Sequence, residues 1–341
     1  MLKIYTDSNF LKADNRKKIF PLLFDMVYLP NEKTNSGFVL ADSLSEADIA
    51  VFPVDIVSFL KADKDNFLQT WIENVSEYQI PIWVYAAGDL GLSLKKSNVF
   101  TFRFGGFNSK LDSSTFVMPC FVSDPYKNIL KNDFLTLSKG EKPTIGFVGN
   151  ANGSFLKRSK EFALHIKRNL VNLCSGNRED YHSFFPAPRR RYLLLNRMAK
   201  EEKIQSNFIL RNKYRAGARN TNASKEQTTL EFFENIQNNL YTFCLRGNGN
   251  FSVRFYETLI MGRIPVLVDT DVRLPLADEI DWKSHCLIVS EKLIVEDLIT
   301  FHASKTDFEL QEMQRNNRKL ILEKLNRIDY FIHLSSKIKF K

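Results

Sequence analysis

The sequence predicts an α/β protein made of two parallel-sheet halves. Its 341 residues suit two domains at roughly 100–200 residues each. In the first half, short apolar runs alternate with helix-sized segments, the pattern of parallel strands joined by crossover helices. In the second half, Tyr241 to Val268 reads as strand, glycine loop, helix, strand.

Taken in order, Leu2 to Tyr5 is a first strand that runs into a polar turn, and Ala47 to Val54 is a second that ends at Asp55. Gln69 to Val75 has a helical pattern. Ile80 to Ala86, Val99 to Phe104 and Phe116 to Met118 are further strands. The polar stretch Ser123 to Lys142, with Asp124-Pro125 and Lys139-Gly140, reads as a linker. Thr144 to Val148 opens a new sheet and breaks at Gly149-Asn150, and Arg158 to Val171 is a basic amphipathic helix. The stretch from Gly176 to Arg219 is the least regular, and Glu226 to Asn238 is again helical. The expected organisation is a domain over 1–125, a linker over 126–142, a second domain over 143–310 and a basic C-terminal helix over 311–341.

Composition narrows the function. Hydrophobic residues make up 44% and charged residues 26%, ordinary for a globular protein with sizeable cores. The net charge of +9 favours anionic partners. The basic residues are scattered and form no RNP motif, zinc finger or helix-turn-helix, so nucleic acid is not the expected partner. Nucleotide diphosphates, anionic glycans and anionic membrane surfaces account for the same excess. The start of the chain does not read as a secretory signal, and the longest apolar run, Ile80 to Ala87, falls far short of the about 20 residues a membrane span needs. A cytoplasmic enzyme, or a piece of a longer anchored protein, is the expectation. Cys120, Cys174, Cys244 and Cys286 lack metal-ligand spacing and read as buried free thiols.

The chemistry concentrates between Leu240 and Trp282. Gly247 and Gly249 let the loop after the strand approach a ligand closely. Ser252 suits the N-cap of the helix Val253 to Met261, and Gly262 suits the positive-φ position just past its end. A helix N-terminus offers unpaired N–H groups and partial positive charge to a diphosphate. Arg246 and Arg254 flank the loop as candidate bidentate donors. Glu257, three residues after Arg254, shares its helix face and can accept from adjacent ribose hydroxyls. The same spacing also fits a plain surface ion pair beside an ordinary glycine loop.

The segment FCLRGNGNFSVRFYETLIMGRIPVLVDTDVRLPLADEIDW resembles the core of the exostosin family, glycosyltransferase family 47. The resemblance rests on Arg246-Gly247, Ser252, Arg254-Phe255, Glu257, Gly262, Ile264-Pro265-Val266, Leu274-Pro275 and Asp281-Trp282 in order. Weaker echoes lie at Ser45 to Pro53, Trp83 to Gly91 and Gly146 to Gly149. Leu245 stands where the family has proline, and the spacer between Arg246 and Ser252 is short. The resemblance implies a GT-B fold, two Rossmann-like domains facing across a cleft. It also implies inverting, metal-independent transfer from a nucleoside-diphosphate sugar, a UDP-sugar foremost, to a glycan or lipid-linked glycan. The expected donor-binding residues are Gly149, Asn150, Arg246, Gly247, Ser252, Arg254 and Glu257, with no cofactor and no metal. The competing readings are a non-catalytic glycan- or polyanion-binding protein of the same fold, and a dehydrogenase. The lack of GxGxxG after the first strand speaks against the dehydrogenase.

Other residues carry weaker expectations. Asp89, after a buried strand and beside Gly91, is the candidate catalytic base, with Asp55 second. Asp269-Thr270-Asp271 spells a metal-type DxD but reads as a polar loop. His285 is expected to be structural. Arg189-Arg190-Arg191, after two prolines, reads as a solvated basic turn, as an alternative to a contact with an anionic acceptor or lipid headgroup. Arg211-Asn212-Lys213-Tyr214-Arg215 is a second basic run. The helix from Gln311 is expected to pack on the domains, its basic end Lys337 to Lys341 touching anionic lipid.

Overall fold

The computed structural model describes residues 1–61, 65–174, 179–212 and 222–338. Lys213 to Arg215 and Lys339 to Lys341 of the two basic runs, and the Cys174 side chain, lie outside this description.

The chain forms two parallel sheets flanked by helices, the doubled α/β layout that the resemblance implies. Strands β1 (Leu2–Tyr5), β2 (Phe38–Leu40), β3 (Ile49–Asp55), β4 (Ile82–Ala86), β5 (Val99–Arg103) and β6 (Thr115–Val117) make one sheet. Their order is β2-β1-β3-β4-β5-β6, and all pairs are parallel. Strands β7 (Thr144–Asn150), β8 (Gln205–Arg211), β9 (Tyr241–Cys244), β10 (Ile264–Val268) and β11 (Leu287–Val289) make the second, in the order β11-β10-β9-β7-β8, again parallel. Both faces of such sheets are covered by helices, so β3, β4 and β10 are buried at every position, as their unbroken apolar runs require.

In the second sheet the chain leaves β7 toward β8 on one side, then returns to build β9, β10 and β11 on the other. The crevice between β7 and β9 is the switch point, where such sheets bind ligands at the carboxyl ends of their strands. Gly149-Asn150 ends β7, and the loop Arg246 to Phe251 follows β9.

The region expected to be irregular holds two elements. The helix Ala187–Ala199 starts directly after Pro186 and carries Pro188 in its first turn, where a missing N–H costs no helical bond. Strand β8 is a half-exposed edge strand, and its weak alternation hid it. The Arg189–Arg191 triplet is therefore the start of a helix and not a solvated turn.

The two halves are clasped together. Buried Asn250 donates from Nδ2 to the carbonyls of Gly106 (3.2 Å), Thr270 (3.0 Å) and Asp271 (3.1 Å). The Asp271 carboxylate accepts from the Ser109 N–H (3.2 Å), and Arg273 donates to Asn108 Oδ1 (3.0 Å) and the Asp112 carbonyl (2.9 Å). The DxD loop is thus part of the clasp.

The tail is two helices, Asp307–Glu323 and Arg327–Ile338. The first opens with a Thr306/Glu309 capping box, and Arg318 reaches Asp124 Oδ2 at 2.7 Å. The second lies in the core of the first domain: the Phe331 ring stands 5.5 Å from Phe20 and 5.8 Å from Phe102. Lys337 and His333 both pair with Glu279. Among the described residues, no helix is long and apolar enough to cross a membrane.

Candidate functional site

A cleft of about 1110 Å³ opens at the β7/β9 switch point. Seven of the eight expected site residues line it: Asp89, Gly149, Asn150, Gly247, Ser252, Arg254 and Glu257. Among the described lining residues, Asp89 alone comes from the first sheet's domain.

The helix Val253–Ile260 brings Arg254 and Glu257 to the same wall. The Arg254 guanidinium donates to the Val148 carbonyl at 2.7 Å and lies 4.1 Å from the centre of the Phe147 ring. This explains the glycine at the end of β7: a Cβ on Gly149 would come within 2.8 Å of Arg254 Nη2. Ser252 occupies the N-cap position with extended backbone, but its side chain makes no capping bond and faces the cleft.

Arg246, the eighth, departs from its expected role. Its side chain turns behind the loop, buried, and donates to His182 Nδ1 (3.0 Å) and the Asn248 carbonyl (2.7 Å). The rings of Phe107 and Phe185 lie 5.1 Å and 4.7 Å from its guanidinium. Burial, then repulsion from Arg190, lowers it to about 10, so it stays charged at neutral pH. It braces the glycine loop and adds positive field from below.

The position in the cleft expected for Arg246 is taken by Arg191, which nothing in the basic triplet singles out from its neighbours. Arg189 is bonded to the Gly153 carbonyl (3.0 Å) and Arg190 to Glu291 (2.6 Å). Arg191 points inward and donates to the Arg246 carbonyl at 2.9 Å. Burial and the nearby Arg254 lower it to about 10. Among the described residues neither Arg191 nor Arg246 forms a salt bridge with a carboxylate, and the Nε of each is buried without a hydrogen-bond partner.

His182, which no motif marks in the sequence, lines the same cleft. Because a guanidinium only donates, its Nδ1 is the acceptor and the neutral ring carries its proton on Nε2. Burial, then Arg246, lowers it to about 4.

Asp89 is exposed, on a turn fixed from three sides. Arg103 donates to the Leu90 carbonyl (2.5 Å), the Asp180 N–H donates to the Gly91 carbonyl (3.0 Å), and Gly249 packs so tightly that a Cβ there would lie 2.1 Å from the Asp89 carbonyl oxygen. Asp55 is no candidate base: its carboxylate is buried and accepts from the N–H groups of Val57, Ser58 and Ala87. His285 bonds Asn317 Oδ1 at 2.8 Å and lies outside the cleft lining. Cys120, Cys244 and Cys286 are buried free thiols, and burial pushes Cys244 up to about 12.

Residues 144–304 match the Exostosin GT47 domain, a stretch that holds β7 to β11 and every cleft residue except Asp89. The exostosin-1 homolog of Caenorhabditis elegans is 37% identical over 95 residues, 27% of this chain and 24% of that protein. The Arabidopsis thaliana "Probable beta-1,4-xylosyltransferase IRX10" is 34% identical over 65 residues, 19% of this chain and 16% of that one. The chain thus spans a quarter or less of the length of these curated relatives. A glycosyltransferase structure from Rickettsia africae aligns over 100% of this chain and 99% of its own, with 10% identity and a TM-score of 0.36, too distant to inform the site.

Proposed function

We propose that the chain is a glycosyltransferase that moves a sugar from a nucleoside-diphosphate donor, a UDP-sugar, to a hydroxyl of a glycan or glycolipid. The observation that carries this reading is the buried cationic floor of the cleft in the stretch that matches the Exostosin GT47 domain. Arg191 and Arg254 line the cleft close enough to repel each other, and the one carboxylate that acts on Arg191, Glu161, forms no salt bridge with it among the described residues. A diphosphate supplies the balancing charge.

In the transfer, the acceptor oxygen attacks the anomeric carbon from the face opposite the diphosphate, so the configuration inverts. The acceptor proton passes to the Asp89 carboxylate, and the bond to the diphosphate breaks with its electron pair on the leaving oxygen. Arg191, Arg254 and the helix N-terminus stabilise that charge without the need for a metal. Glu257 accepts from the ribose hydroxyls of the donor. Relatives named as probable xylosyl- and glucuronosyltransferases make a pentose or a uronic acid the first sugars to try.

Thermal-shift measurements with UDP, GDP, CMP and NAD, followed by UDP release from UDP-sugars with and without EDTA, test this reading. A shift with UDP and EDTA-resistant UDP release are expected. A shift with NAD alone, or with no nucleoside diphosphate, overturns the transferase reading. UDP binding without turnover of any UDP-sugar leaves a binding protein. Loss of turnover in EDTA with rescue by manganese overturns metal independence.

A further inference from the structure

The helix Phe155–Cys174, 20 residues long, lies across the mouth of the cleft with its amphipathic sides reversed. Its inward positions recur at helical spacing: Lys157, Glu161, His165 and Arg168 are half-buried. Lys157 fastens it by donating to Asn150 Oδ1 and the Asn212 carbonyl, both at 2.9 Å. The side turned to solvent is the apolar one. Phe155 is 66% exposed, Leu156 76%, Phe162 47%, Ile166 43%, Leu170 57% and Leu173 81%. A helix that only packed on its domain would bury this stripe and present its charges to water.

Charge selects the occupant. Arg158, Lys160 and Lys167 are exposed beside the stripe, while the only acidic residue of the helix, Glu161, faces the cleft. The outward side is therefore apolar and purely basic. A second copy of the same face would set these cations against each other. An anionic lipid surface takes the apolar stripe among its acyl chains and the flanking lysines among its headgroups. The helix is too polar to span a membrane, so it lies in the interface plane, along about 30 Å.

We propose that this helix is a membrane-contact element that docks the cleft on anionic lipid. The apolar surface runs on toward the cleft: the Phe162 ring stands 5.0 Å from that of Phe184, which lines the cleft. A lipid-borne hydroxyl acceptor would then meet the cleft at the membrane surface. That last step rests on the transferase reading; the membrane contact does not.

The test is co-sedimentation of the full chain with vesicles of phosphatidylcholine alone and of phosphatidylcholine mixed with phosphatidylglycerol. The unaltered chain is expected to partition onto the mixed vesicles and not onto the neutral ones. Ile166→Asp with Leu170→Asp should weaken this about tenfold or more, and Lys160→Glu with Lys167→Glu should weaken it most at low salt. The UDP thermal shift should be unchanged in both pairs, which separates loss of docking from loss of fold. No binding by the unaltered chain, or binding by both variant pairs as strong as that of the unaltered chain, overturns the proposal. So does a dimer in light scattering that the Ile166/Leu170 pair converts to monomer, because a second copy would then cover the face. A missing UDP shift in the unaltered chain counts against the transferase reading alone.

Discussion

At the scale of single residues, the site turns on which guanidinium groups reach the cleft. Arg254→Ala and Glu257→Ala should each cut UDP-sugar turnover by roughly 30- to 1000-fold, about 2–4 kcal/mol, because each removes a charged partner of the donor. Steady-state kinetics on variants with unchanged circular dichroism check this, and near-normal turnover in both would reduce the pair to a packing contact. Arg254 and Glu257 were legible because their spacing fixes them on one helix face next to a glycine loop. Arg191 was not, because a basic triplet after prolines does not say which arginine turns inward. The phase of the helix does say so. Ala187, Leu194, Leu195 and Met198 are its buried face, and Arg191 falls on the same stripe. His182 left no comparable trace. Its value of about 4 lies below the usual 6.5, so the unfolded chain binds a proton that the folded chain refuses. Its contribution to stability is therefore complete above about pH 6.5 and is lost as the pH falls toward 4, with a slope of at most about 1.4 kcal/mol per pH unit. Denaturant melts at several pH values should show a shallower acid-side loss for His182→Gln than for the unaltered chain; parallel profiles would contradict the assigned neutral ring.

At the scale of elements, the strand–loop–helix–strand unit from Tyr241 to Val268 was the most legible part of the chain, since each punctuation residue has one physical job. Gly262 sits at φ 62°, as its place after the helix requires, and a Cβ there would lie 2.3 Å from the Phe134 ring. Gly262→Ala should lower the melting temperature by several degrees, through about 1–2 kcal/mol of left-handed strain and the added contact with Phe134. Ser252 is the informative contrast. Losing a true N-cap costs about 0.5–2 kcal/mol, but Ser252 makes no capping bond, so Ser252→Ala should leave the melting temperature unchanged and weaken donor binding instead. A melting temperature that drops as far as for Gly262→Ala would restore the capping role. The reversed amphipathicity of Phe155–Cys174 lay beyond the sequence, because periodicity shows that a helix has two faces and not which of them meets the protein.

At the scale of the whole molecule, the chain does not finish where its second domain finishes. The sequence made the last segment a basic amphipathic helix but could not say that it breaks after Glu323 and sends its final helix into the other domain. That destination is a long-range packing choice, written in which aromatic side chains it meets. Phe331 and Tyr330 are almost fully buried, and the Phe331 ring lies within 6.3 Å of those of Phe20, Trp83 and Phe102. The Tyr330 hydroxyl donates to the Val117 carbonyl at 2.9 Å, which ties the tail to the last strand of the first sheet. The two domains are therefore joined twice, by residues 118–143 and by the returning tail, besides the Asn250 clasp. Phe331→Ala should destabilise the first domain by about 3–5 kcal/mol, the cost of emptying a packed aromatic site. It should also lower turnover, because Asp89 and its turn belong to that domain. Among the described contacts, removing residues 336–341 strips the Lys337–Glu279 pair, an exposed contact worth about 0–1 kcal/mol, and the local bond from the Ser336 hydroxyl to the His333 carbonyl. It should leave both the melting temperature and turnover on a soluble acceptor close to those of the full chain. Differential scanning calorimetry on the two variants decides the matter: a truncation as damaging as Phe331→Ala would mean that the end of the tail, and not its aromatic core, carries the second connection.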